Sequence, residues 1–217
     1  MNATLAKLNW KYFSITALAL IVAFGIYNNP DRKNAKDDAE LQAIFTDMDS
    51  ALQEVTKAAT ENKTCFEDES LAGESAQCVT NLHNIQSTFQ TVDKENAVKL
   101  ETYYETNQAS LDEQTKKMIQ DSLRLYKSDT YSELMTAYDN FFTAYIEWHK
   151  YFRDYVGVKG VDNMNSEEVM QAHYLAEDIV EIEESLELKK NVFSDYLHEN
   201  FDKEFVDALN AYATDPK

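Results

Sequence analysis

Glycine and proline are almost missing from this chain. Its 217 residues include 4 Gly and 2 Pro, and the prolines, Pro30 and Pro216, stand towards its two ends. Without closely spaced turn residues a hairpin-rich sheet protein is excluded, and long helices are favoured. Basic residues are also scarce, with 20 Lys and Arg against 39 Asp and Glu for a net charge of −19. Lys7 and Lys11 precede residue 29 and no acid does, so residues 29–217 set 18 basic residues against all 39 acids. Such a surface repels nucleic acid and anionic headgroups. No nucleic-acid partner is therefore expected, and the acidity reads first as a solvated surface that keeps the chain soluble.

The usual catalytic signatures are missing too. There is no Gly-rich phosphate loop, no Gly-x-Ser-x-Gly elbow and no His-Glu-x-x-His. The acidic run from Glu177 to Glu187 lacks the Asp-x-Asp-x-Asp-Gly loop that wraps calcium. None of His83, His149, His173 and His198 completes a Glu-x-x-His pair, Asp195-x-x-His198 being a distant approach, so a dinuclear centre inside helices is not expected. The sequence thus predicts no enzyme, no cofactor and no metal.

Cys65 and Cys78 are the only cysteines. The residues between them include Gly73 and the polar run Glu67 to Ser70, which suits a disulfide-closed loop. His83, the histidine nearest in sequence, lacks the companions that tetrahedral zinc requires.

One long apolar run is present, Tyr12 to Tyr27, with no charge inside it and Lys7 and Lys11 before it. Its 16 residues would span roughly 24 Å as a helix, short of the ~30 Å hydrocarbon core. Trp10, Tyr12 and Tyr27 at the interfaces and a snorkelling Lys11 extend its reach. A cleaved signal peptide competes with this anchor: Phe13 to Val22 suits its apolar region, and Ala23-Phe24-Gly25 suits a small-x-small cleavage site. Arg32, Lys33 and Lys36 on the far side leave the orientation to other arguments. Long domains translocate regardless of charge, and the cysteine pair suits an oxidising compartment. The expected arrangement is a cytoplasmic N-terminus, residues 12–27 in the membrane, and a periplasmic or extracellular domain; the alternative is secretion after cleavage near Gly25.

Beyond the anchor the patterning is helical. Asn29 can cap and Pro30 can open a helix that runs to about Glu61, with Leu41, Phe45, Met48, Leu52, Val55 and Ala59 in an a/d stripe. A second helix starts near Ser75 on Cys78, Leu82, Ile85, Phe89 and Val92, and extends towards Tyr104 with a kink or slip of its apolar face near Asp93 to Glu95. Ser110 to Glu113 fits a capping box for a third helix. Thr130 to Glu133 offers another, leaving open whether residues 110–156 form one helix or two. Residues 131–155 then carry nine Phe, Tyr or Trp side chains, and Gly157 to Gly160 end that segment. Ser166 caps the last helix, whose core face is expected at Val169, His173, Ala176, Val180, Leu186, Phe193, Leu197, Phe205 and Leu209, with a bend near Asn200.

The predicted fold is all-α: an elongated up-and-down bundle of four to five helices over residues 29–217, preceded by one hydrophobic helix within residues 1–28. Two functions fit it. One is an interaction or accessory module for another envelope protein. The other is a ligand-binding or sensory bundle in which Tyr138, Tyr145, Trp148 and His149 of segment 131–155 line a groove; the same aromatic stripe also reads as plain core. Asn62-Lys63-Thr64 matches a glycosylation acceptor pattern.

Overall fold

A computed structural model describes residues 39–62, 65, 75–203 and 205–207. The apolar run 12–27, the Pro30 helix start and Leu209 lie outside them. Among the described residues every regular element is helical, and no helix is long and apolar enough to cross a membrane.

Five long helices carry the structure: α1 (Ala39–Glu61), α2 (Ser75–Asn107), α3 (Glu113–Tyr126), α4 (Asp129–Tyr151) and α5 (Ser166–Asn200). Their ends follow capping chemistry more closely than apolar spacing. α3 starts behind Asp112, not Ser110: the Asp112 carboxylate accepts the Gln114 and Thr115 N–H groups at 3.0 and 2.9 Å. Ser110 instead donates its hydroxyl to the Asn107 carbonyl at the close of α2. The segment 110–156 is broken, and Ser128 opens α4 by accepting the Tyr131 N–H. α5 has a full capping box one residue earlier than Ser166, with Asn165 capping and Glu168 reaching back to the Asn165 N–H at 3.0 Å.

α4 is the central element. It packs most extensively against α5, and also against α2, while α1 lies on α2 and α3 joins α2. Tyr131 meets Phe193, Tyr145 meets Glu183, and Tyr151 donates its hydroxyl to the Glu168 carbonyl, so α4 and α5 run antiparallel. Tyr138, Phe141 and Phe142 are almost wholly buried, and Phe89 of α2 packs on Tyr138 and Phe142 at 5.6 and 6.3 Å between ring centres. Each such ring contributes about 1.5–3 kcal/mol by leaving water. α2 is unbroken, and the expected slip takes the form of an exposed Val98 between buried Asn96 and Leu100.

Beyond Tyr151 the helix widens into a π-helical segment, Phe152–Val156, followed by the single turn Gly157–Lys159. Gly160 then reverses the chain at φ +74°, the left-handed backbone that glycine accepts without a Cβ clash. α5 ends at Asn200, at the position of the expected bend. Phe201 is extended, and Asp202 caps a further helical turn by accepting the Phe205 N–H at 2.9 Å. Arg124 of α3 stacks over Phe201 and donates to the Asn200 carbonyl, pinning this corner.

The core face of α5 follows the expected stripe at Leu186, Phe193 and Leu197 and departs from it before them. Ile179, Leu186, Lys190, Phe193 and Leu197 are buried, whereas Val169, His173 and Val180 are exposed. Both sets have helical spacing, but α4 covers only the face carrying Ile179, Leu186 and Phe193, which recur every seven residues.

Candidate functional site

The four groove candidates do not converge on one cavity. Tyr138 packs between Phe89 and the Lys190 ammonium, which lies 5.8 Å over its ring. Tyr145 points to α5 and donates to the Glu183 carboxylate at 2.6 Å. Trp148 is partly buried against Phe152, 4.4 Å between ring centres. His149 faces the cysteine pair instead. A cleft of about 320 Å³ lies elsewhere, lined by Gln86, Phe89, Gln90, Met135 and Asp139 among others, with Gln86 and Gln90 both donating to Asp139. Clefts of about 290 Å³ beside Ile182 and about 240 Å³ beside Val55 also exclude these four residues.

Lys190 is buried and Glu183 half-buried along the α4–α5 seam. Burial pushes the Glu183 carboxyl up against the opposing Tyr145 hydrogen bond, and burial pushes the Lys190 ammonium down in spite of Glu187.

The second assembly is the end of α1 joined to the start of α2. The Cys65 and Cys78 sulfurs lie at disulfide distance, 2.06 Å, with Cα atoms 5.4 Å apart. Beside them is His149, only 1 % exposed, as are Cys65 at 4 % and Cys78 at 2 %. Its Nε2 lies 2.7 Å from the Cys65 carbonyl. A carbonyl oxygen only accepts, so Nε2 carries the hydrogen and Nδ1 carries the lone pair. Nδ1 is buried and has no hydrogen-bond partner among the described residues. Burial holds the imidazole below its usual range, outweighing the upward effect of the Cys65 hydrogen bond. Sequence spacing could not find this contact: His149 stands 84 residues from Cys65 and reads as one more position of an aromatic stripe. Nearby, Asn62 donates to the Ala58 carbonyl and accepts from Asn81, so its side-chain amide is engaged within the fold.

The third feature is the outer face of α5. Met170, Tyr174, Leu188 and Val192 are 51, 51, 62 and 43 % exposed. They lie on the side roughly opposite Leu186 and Phe193 and span ~33 Å of helix. Glu177, Asp178, Glu181 and Glu184 fill the interval between them, and no Lys or Arg occurs from Gly160 to Leu188.

These features define an all-helical protein with a buried disulfide–histidine cluster and an acidic, apolar-studded outer helix. No protein family, curated protein or solved structure matches the chain.

Proposed function

We propose that this chain is an interaction or accessory module of a cell envelope. Residues 12–27 tether it to the membrane with the N-terminus cytoplasmic, and the acidic helices form an elongated up-and-down bundle on the periplasmic or extracellular side. The observation that carries this reading is the outer face of α5. Apolar side chains exposed on one face of a long helix mark a surface for another protein. Met and Tyr are among the residues favoured in such contacts. The acids between Tyr174 and Leu188 select a partner helix that interleaves apolar residues with lysine or arginine, because complementary charge steers encounter and rejects acidic competitors. The Cys65–Cys78 pair supports the compartment, since disulfides persist where the environment is oxidising. The ligand-groove reading gains no comparable support, because Tyr138, Tyr145 and His149 each engage a different neighbour.

The test is affinity capture of the full-length tagged protein from detergent extracts, with mass spectrometry of its partners and of its own N-terminus. A specific partner is expected, and it is lost from the double variant Tyr174→Glu, Leu188→Glu while helical content is unchanged. A partner retained by that variant would remove α5 from the interface. An N-terminus beginning near Ile26 would replace the tethered form by the secreted one.

A further inference from the structure

The disulfide–histidine cluster has the donor set of a soft-metal site held shut by a covalent bond. One ligand atom from each of Cys65, Cys78 and His149 lies within 4.8 Å of the other two, and all three residues are more than nine-tenths buried. The imidazole is already anchored through one ring nitrogen. In metal sites the ligating histidine characteristically donates its other ring N–H to a carboxylate or a backbone carbonyl, which fixes the tautomer and aims the lone pair. Here Nε2 makes that bond to the Cys65 carbonyl at 2.7 Å, and Nδ1 is buried without a hydrogen-bond partner among the described residues. An unsatisfied buried polar atom is destabilising, so an arrangement that leaves Nδ1 unpaired invites an explanation. A bound ion in the reduced state supplies one.

We propose that the reduced form of this protein binds one Cu(I) through Cys65 Sγ, Cys78 Sγ and His149 Nδ1, and that the Cys65–Cys78 disulfide is the closed, metal-free state of the same site. Two thiolates select a soft ion. Structural zinc takes four ligands, and the cluster offers three with no fourth Cys, His, Asp or Glu among the described residues. Three soft donors suit Cu(I), which is stable in trigonal coordination. The opening step requires a dithiol reductant. One of its thiolates attacks a sulfur of the Cys65–Cys78 bond to give a mixed disulfide, and its second thiol resolves that intermediate. The reductant departs as a disulfide, having passed two electrons and two protons to Cys65 and Cys78. Cu(I) then displaces the two thiol protons, while the imidazole binds through a lone pair and releases none. Metal uptake is thereby gated by the redox state of one bond.

The proposal is tested on full-length protein in detergent, reduced with a dithiol, exchanged anaerobically and titrated with Cu(I) against a colorimetric Cu(I) chelator. The reduced protein is expected to withdraw one equivalent of copper, and the oxidised protein none. His149→Gln retains an N–H that can reach the Cys65 carbonyl but lacks the Nδ1 lone pair, and it is expected to bind at least ~10-fold more weakly. X-ray absorption of the copper-loaded wild-type protein decides the ligand set even if that variant fails to fold. Two sulfurs and one imidazole nitrogen around copper uphold the assignment. Two sulfurs alone overturn it, as does reduced protein that takes up no more copper than the oxidised form, or a clear preference for tetrahedral Zn(II).

Discussion

Acid should destabilise this protein in part through His149, and the contribution can be isolated. The native fold keeps the imidazole 1 % exposed, and burial lowers its proton affinity. In the unfolded chain the same ring titrates at the ordinary value of 6.5. Below that pH the unfolded state therefore binds more protons than the native state, and stability falls as pH falls. His149's share of stability is present in full above pH 6.5. Below it the loss approaches, at most, ~1.4 kcal/mol per pH unit, which bounds the effect at ~2 kcal/mol between pH 6.5 and 5. Other groups respond to acid as well, Asp202 and Glu168 below their ordinary values of 3.8 and 4.5. Hydrogen bonds from Lys117 and Lys159 hold Asp202 and Glu168 below the usual carboxylate range and add to the acid sensitivity; burial raises Asp121 and Glu183 and opposes it. The measurement is thus a difference. Urea unfolding of wild type and His149→Gln at pH 8, 7, 6 and 5 should give a constant offset from pH 8 to 7, which changes below pH 6.5 as only the wild type loses the imidazole's contribution. Parallel profiles across the whole range would refute the reasoning, because they would mean that His149 titrates alike in both states.

Three further outcomes are expected. Reducing the Cys65–Cys78 bond, which spans a sequence separation of 13, should lower the unfolding free energy by about 3 kcal/mol in the chain-entropy account; a change below 1 kcal/mol in urea titration would show that the closed loop is not what limits the unfolded chain. Asp112→Ala should cost about 1 kcal/mol and Ser110→Ala no more than about 0.5 kcal/mol, and thermal melts that reverse this order would return the cap of α3 to Ser110. Lys190→Met should raise stability by about 1 kcal/mol, since the ammonium is desolvated against Tyr138 and its ion-pair partner Glu187 stays exposed; a loss in chemical denaturation would mean that Lys190 stabilises the seam through Glu183.

How much of this was legible in the sequence depended on the range of the interaction involved. The shortage of Gly and Pro and the a/d spacing of Leu41 to Ala59 and Cys78 to Phe89 predicted long helices, and α1 and α2 occupy those positions. Both are local signals. Caps were legible only to within a residue or two, because Ser110 and Asp112, or Asn165 and Ser166, all have suitable side chains and the choice rests on which backbone N–H groups they meet. The face of α5 was harder. Leu186, Phe193 and Leu197 are buried as their spacing predicts, but before them Val169, His173 and Val180 form as regular a stripe as Ile179 and Leu186, and only the position of α4 decides between them. Least legible was the approach of His149 to Cys65, which no periodicity encodes. The groove expected from Tyr138, Tyr145, Trp148 and His149 assumed that residues on one aromatic stripe share surroundings; a helix packed on two sides sends them to different neighbours.

The π-helical segment Phe152–Val156 amounts to a one-residue insertion absorbed inside a helix. Each residue of an α-helix advances the chain by about 100° of rotation, and the widened turn takes up that advance, so deleting one residue of the segment would restore ordinary winding and leave what lies beyond it on nearly the same heading. Gly160 would then still reverse the chain in the same direction, and Tyr151 would keep the Glu168 carbonyl at the start of α5. The outer face of α5, with Met170 and Tyr174 on it, would therefore keep its heading through such a deletion, whereas losing one residue from the ordinary winding of α4 would turn it.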